Sequence, residues 1–139
     1  MRHTVKLHGV IVGHSDLEKS DASLGRAWGV FRPGLGYELV QPVFQLFREA
    51  VPMYGGEPRD EDKLARYLAA REKLGLELVD ADGNGIDTSV IHIADYPAEK
   101  GGLELDVLIR DDGYWSARRA LNESRDASQT PPPPPPRAP

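Results

Sequence analysis

Apolar residues fall on both faces of the first regular stretch: Leu7 and Ile11 share one parity of Val5–Val12, while Val10 and Val12 share the other with His8. That pattern predicts a central strand. From His14 to Gly25 the chain turns polar, with Asp16, Glu18, Lys19, Ser20 and Asp21 and no apolar period, and a long loop is expected. Arg26–Arg32 places Trp28 and Val30 on one face and Ala27 and Phe31 on the other, a second strand that Pro33-Gly34 ends. The period then changes. Phe44, Phe47 and Val51, widened by Val43, Leu46 and Ala50, predict a helix from Pro42 that stops before Pro52. Asp60-Glu61-Asp62 suits the positive end of a second helix, Leu64, Tyr67, Leu68 and Leu74 supply its inner stripe, and Gly75 stops it.

Beyond Gly75 the alternation is again of period two. Leu76–Val79 and Ser89–Ile93 flank the run Asp80-Ala81-Asp82-Gly83-Asn84-Gly85, and together they predict a hairpin with Asn84-Gly85 at its turn. Leu103, Leu105, Val107 and Ile109 form the inner face of another strand, with Glu104 and Asp106 on a solvent face. Asp111-Asp112-Gly113 reads as a turn, and Tyr114-Trp115 starts a short strand or helical turn ending near Leu121. The expected fold is α+β: an antiparallel sheet of about five to six strands with two helices on one face, or alternatively a small half-open barrel. One domain over residues 1–121 is expected, followed at 122–139 by a disordered tail with six consecutive prolines at Pro131–Pro136. Pro132, Pro135 and Arg137 match the spacing of ligands for SH3-type grooves, a match that any proline run before an arginine gives.

In the run from Asp80, oxygen-bearing side chains stand at alternate positions. Asp80, Asp82, Asn84 and Gly85 fit positions 1, 3, 5 and 6 of a calcium loop, so these six residues resemble the first half of an EF-hand. The resemblance implies a bidentate Glu at position 12, where this chain has Ile91, and Asp87 stands at position 8, where the family carries an apolar residue. An EF-hand also needs helices on both sides, whereas strand patterns flank this run. A metal-free turn is the preferred reading, with weak calcium binding by Asp80, Asp82, Asn84 and Asp87 as the alternative.

Composition narrows the chemistry. The chain has no cysteine, which excludes disulfides, thiolate metal sites and cysteine nucleophiles. Twenty-two acidic against 17 basic residues give a net charge of −5, a balance that disfavours phosphate backbones; Arg118-Arg119 reads as solvated surface. No run approaches the about 20 apolar residues of a membrane span, and Met1–Thr4 leads into a strand pattern rather than a signal peptide, so a cytoplasmic location is expected. His14-Ser15-Asp16 names the members of a hydrolase triad, but adjacent side chains point apart, and Gly34-Leu35-Gly36 lacks the third glycine of a dinucleotide loop.

Two functional readings follow. The leading one is a small non-enzymatic interaction or accessory module, without cofactor, nucleic acid or membrane, that meets a protein partner through Tyr114 and Trp115, because exposed Trp and Tyr anchor interfaces. The alternative is a small enzyme or ligand-binding domain whose site assembles across strands from His8, His14 and His92. A concave pocket holding two of these histidines would favour the second reading; an apolar patch or an open sheet edge would favour the first.

Overall fold

The computed structural model of the chain describes residues 1–129. In chain order it consists of strands β1 (His3–Leu7), β2 (Val10–Ser15), β3 (Lys19–Asp21), β4 (Arg26–Val30) and β5 (Arg32–Pro33), followed by helices α1 (Tyr37–Ala50) and α2 (Glu61–Leu74). Strands β6 (Glu77–Val79), β7 (Gly85–Ile86), β8 (Thr88–Asp95) and β9 (Leu103–Ile109) then lead to helix α3 (Asp112–Gln129). The α+β class with antiparallel pairing holds, and no closed barrel is present among the described residues. The strands divide into two sheets, ordered β5-β2-β1-β6-β7 and β3-β4-β9-β8.

The predicted first strand is in fact a hairpin. His8 and Gly9 both take positive φ, 47° and 83°, so the chain reverses and Leu7 pairs with Val10. Two consecutive left-handed residues match the twist of the flanking strands, which is why such turns close two-residue hairpins. β1 is nevertheless central, lying between β2 and β6. A register shift after Val5 leaves Val12 unpaired and resets the alternation, so that Val12 and Ser15, three residues apart, are both buried. The polar stretch expected to be a loop supplies β3, which pairs with β4 through Lys19–Trp28 and Asp21–Arg26. Ladder hydrogen bonds suffice for an edge strand, which needs no apolar period.

Helix α1 begins five residues before Pro42, which lies inside it. Its start is set from outside: the amides of Gly34 and Gly36 donate to Val12 and Ile11 of β2, and burial of Tyr37 and Val40 rewards a helix from that point. Helix α2 follows expectation, with Asp60 capping the Lys63 amide at 3.0 Å and Gly75 left-handed beyond its end. The expected hairpin after it is shorter than predicted. β6 pairs with the two-residue β7, and β8 instead crosses to the second sheet, where it pairs with β9 from Thr88–Ile109 to Asp95–Leu103. In the turn the positive φ belongs to Gly83, not to Asn84-Gly85. Tyr114 and Trp115 lie in the first turn of a helix, α3, that runs past Leu121 to Gln129; the proline run lies outside the described residues.

The core joins Val5, Val12 and Leu78 of the first sheet to Ile93, Leu105 and Val107 of the second, with Val40, Phe44 and Tyr67 from the helices. Each such side chain contributes about 1.5–3 kcal/mol by leaving water. The other face of β9 is not the wet surface expected. Asp106 is held bidentately by Arg26, at 2.9 and 2.7 Å, and Tyr54 donates to it at 2.8 Å with Glu104 3.3 Å away. Burial raises the Glu104 pKa above the ordinary range. A tyrosine from the connection between α1 and α2 covers this face, and strand alternation carries no information about such a cover.

Candidate ligand-binding cleft

β1 alternates His3 with Val5 on its buried face, and β2 sets Ser15 opposite His3. The Ser15 hydroxyl accepts from the Leu17 amide at 3.1 Å, which bends the chain as it leaves β2. Leu17 adopts φ 45°, a conformation that costs a branched residue about 1–2 kcal/mol, and its complete burial offsets that cost. The bend leaves Asp16 3.3 Å from Arg32 and lets Glu18 accept from the Val30 amide at 3.0 Å. The β6–β7 turn stands nearby in the fold. One oxygen of Asp80 accepts from both the Asp82 and Asn84 amides at 2.9 Å.

The third wall is α3. Asp111 caps it by accepting from the Tyr114 amide at 3.1 Å, and the Trp115 indole donates to the Ile109 carbonyl at 3.0 Å, pinning the first turn to the end of β9. Tyr114 meets the His3 ring edge-on at 5.8 Å, and Arg118, one turn later, donates to the Tyr114 hydroxyl at 2.8 Å. These segments enclose a cleft of about 830 Å³ with Leu17, Ile86 and Leu121 among its apolar lining. That volume lies within the range of small-molecule sites.

Two buried polar atoms in this cleft have no hydrogen-bond partner among the described residues: His3 Nδ1 and Arg118 Nε. His3 is only 5% exposed. Burial, the Met1 ammonium and Arg118 lower its pKa, against a raising influence from a hydrogen bond to the Met1 main chain and from Asp80. The ring is therefore neutral near pH 7 and presents one donor and one acceptor nitrogen. Buried polar atoms without partners are uncommon, and both of these belong to side chains that line the cleft.

The residues singled out from sequence are dispersed. Tyr114, Asp80 and Asn84 line the cleft, whereas Trp115 is half-buried and already bonded. His8 is exposed at the β1–β2 turn, and His14 stands beside Thr4, 3.0 Å from its hydroxyl. His92 is buried in the second sheet among Phe44, Phe47, Tyr54 and Tyr67. None of these three histidines lines the cleft. Asp82 is exposed, Asp87 pairs with Arg110 at 2.8 Å, and among the described residues no three His, Asp or Glu side chains are grouped to hold a metal ion. His3 was missed, and Arg118, expected as solvated surface, is half-buried and bonded to Tyr114. The alternation His3–Val5 signalled burial of the histidine, and the i, i+4 spacing of Tyr114 and Arg118 signalled their contact, but neither shows that a cleft exists.

No family model matches the chain, and neither does any curated protein or solved structure compared with it. The described residues contain no helix long and apolar enough to cross a membrane.

Proposed function

We propose that this chain is a cytoplasmic ligand-binding module whose recognition site is the cleft between β1, the β6–β7 turn and α3. One observation carries the reading: a buried histidine with an unpartnered ring nitrogen lines a cavity large enough for a ligand. Observing amide and ring resonances while titrating a library of small amphipathic fragments tests it. Bound fragments are expected to shift Leu17, Tyr114 and Arg118, and Leu121→Trp, which fills the mouth from a partly exposed position, is expected to abolish those shifts. Shifts confined to other surfaces, or insensitive to that substitution, reject the cleft.

An exposed apolar patch favours a second reading, contact with a protein partner. Leu35 is 100% and Leu39 62% exposed, and the Gly36–Ile11 hydrogen bond brings them beside the exposed Val10 and Ile11. Apolar side chains gathered on a surface are a mark of interaction sites. The reading places contact here rather than at Trp115, and it requires that Leu35→Asp with Leu39→Asp abolish cross-links formed to any partner by the wild-type chain.

A further inference from the structure

Helix α3 presents to the cleft an apolar wall that the described residues leave uncovered. Tyr114, Ala117 and Leu121 share one face of the helix, with Ala117 exposed and Leu121 42% exposed, and Leu17 and Ile86 join them in the lining. The residues that follow α3 in the sequence, outside the described ones, suit this wall. Thr130 is followed by the six prolines Pro131–Pro136 and by Arg137. Proline has no amide donor and holds the backbone extended. A run of it lies on an apolar surface without stranding hydrogen-bond donors, and at a smaller ordering cost than an ordinary segment.

Length and charge point to the same occupant. Arg137 comes eight residues after Gln129, a reach of about 25 Å for an extended proline segment, and Tyr114 lies fifteen residues before Gln129, about 22 Å back along the helix. A segment that doubles back after Gln129 therefore brings Arg137 level with the first turn of α3. There Asp111 caps the helix beside Tyr114, and the lining also holds Asp16, Glu18 and Asp80 against Arg118 and the Met1 ammonium. The spacing of Pro132, Pro135 and Arg137 is that of ligands whose prolines seat on aromatic and apolar walls and whose arginine meets an acid.

Building on the cleft as the recognition site, we propose that the chain's own segment Pro131–Arg137 occupies it, antiparallel to α3, with the prolines on Leu121, Ala117 and Tyr114 and the Arg137 guanidinium beside Asp111. The covalent link holds the segment at an effective concentration in the millimolar range, so an intrinsic affinity of about 1 mM fills the cleft about half of the time. An external ligand competes with the segment, and its apparent affinity is reduced by the fraction of chains left open. The segment thereby regulates access to the site.

The chain has no cysteine, so Ala138→Cys gives one attachment point for a nitroxide next to the segment. In the full chain the label is expected to broaden the amide resonances of Tyr114, Ala117 and Leu121 severalfold more than those of residues that do not line the cleft, at any protein concentration. Arg137→Glu, and separately Pro132→Gly with Pro135→Gly, are expected to weaken that broadening, and fragments then bind the cleft about two- to tenfold more tightly. Broadening spread evenly over the surface overturns occupation by the segment. So does broadening that appears only when nitroxide-bearing chains are mixed with isotope-enriched chains lacking the label. In either case fragment shifts still blocked by Leu121→Trp keep the cleft as a site, whereas their absence from wild type and Arg137→Glu alike rejects the cleft as well.

Discussion

His3 and His92 make an instructive pair. Both are buried, at 5% and 8% exposure, both are held below the ordinary histidine pKa chiefly by burial, and each has a ring nitrogen without a partner among the described residues, Nδ1 in the first and Nε2 in the second. Their surroundings differ. Aromatic rings pack around His92, with Phe47 at 4.4 Å and Tyr54 nearly parallel at 6.4 Å, and its other nitrogen is engaged by Tyr67, which also accepts from Arg71 at 3.1 Å. His3 instead faces a cavity with charged walls. An unpartnered nitrogen is therefore ambiguous in itself: enclosed by rings it is a cost borne by the core, and in a residue that lines a cavity it is the feature on which the proposed ligand site rests.

The largest expected difference comes from removing the wall around His92. Phe44 is fully buried against it, so Phe44→Ala should cost about 3–5 kcal/mol in urea unfolding and move the His92 titration, followed by its ring proton shifts, up toward 6.5. If the pKa stays near 4, aromatic burial is not its cause.

The intact protein should reveal the same histidine through pH. The His92 pKa is pushed down to about 4 from 6.5, so between these values the unfolded chain binds the extra proton and stability falls as pH falls. The contribution is complete above 6.5 and amounts to about 3 kcal/mol lost by pH 4. His3 acts in the same direction, while Glu104, whose pKa is raised, opposes it just above its ordinary range. Comparing wild type with His92→Phe isolates the His92 share: unfolding of the variant at pH 4.5 and 7 should differ less than that of the wild type, and identical slopes would contradict the assignment.

The smallest contrast sharpens the comparison most. Tyr67→Phe leaves the buried His92 nitrogen unbonded and should cost about 1–3 kcal/mol, whereas Tyr114→Phe removes only the Arg118 contact in the cleft wall and should cost about 0.5–1 kcal/mol. Chemical denaturation of both variants checks the order. Equal costs would mean that the cleft wall is as closed as the core.

Much of the architecture was legible because local chemistry dictated it. Asp60 and Gly75 mark the ends of α2 through capping and left-handed geometry, and the alternation through Leu103–Ile109 matches β9 residue for residue. Failures came where one local signal had two physical causes. Gly9 after His8 was absorbed into a strand because a turn with two positive φ values leaves the apolar period on either side undisturbed. The start of α1 was missed because amide bonds to β2, remote in pairing, set it rather than Pro42.

Class, capped helix and core strands thus came from the order of residues alone, since periodicity and end-capping act within a few positions of the chain. The partition into two sheets and the meeting of His3, Asp80 and Arg118 did not. They depend on strand partners up to 82 residues apart, as Arg26 and Leu108 are, and on which side chain finally covers each face. Packing selects among such long-range pairings through the total burial they achieve together, a quantity that no single segment carries.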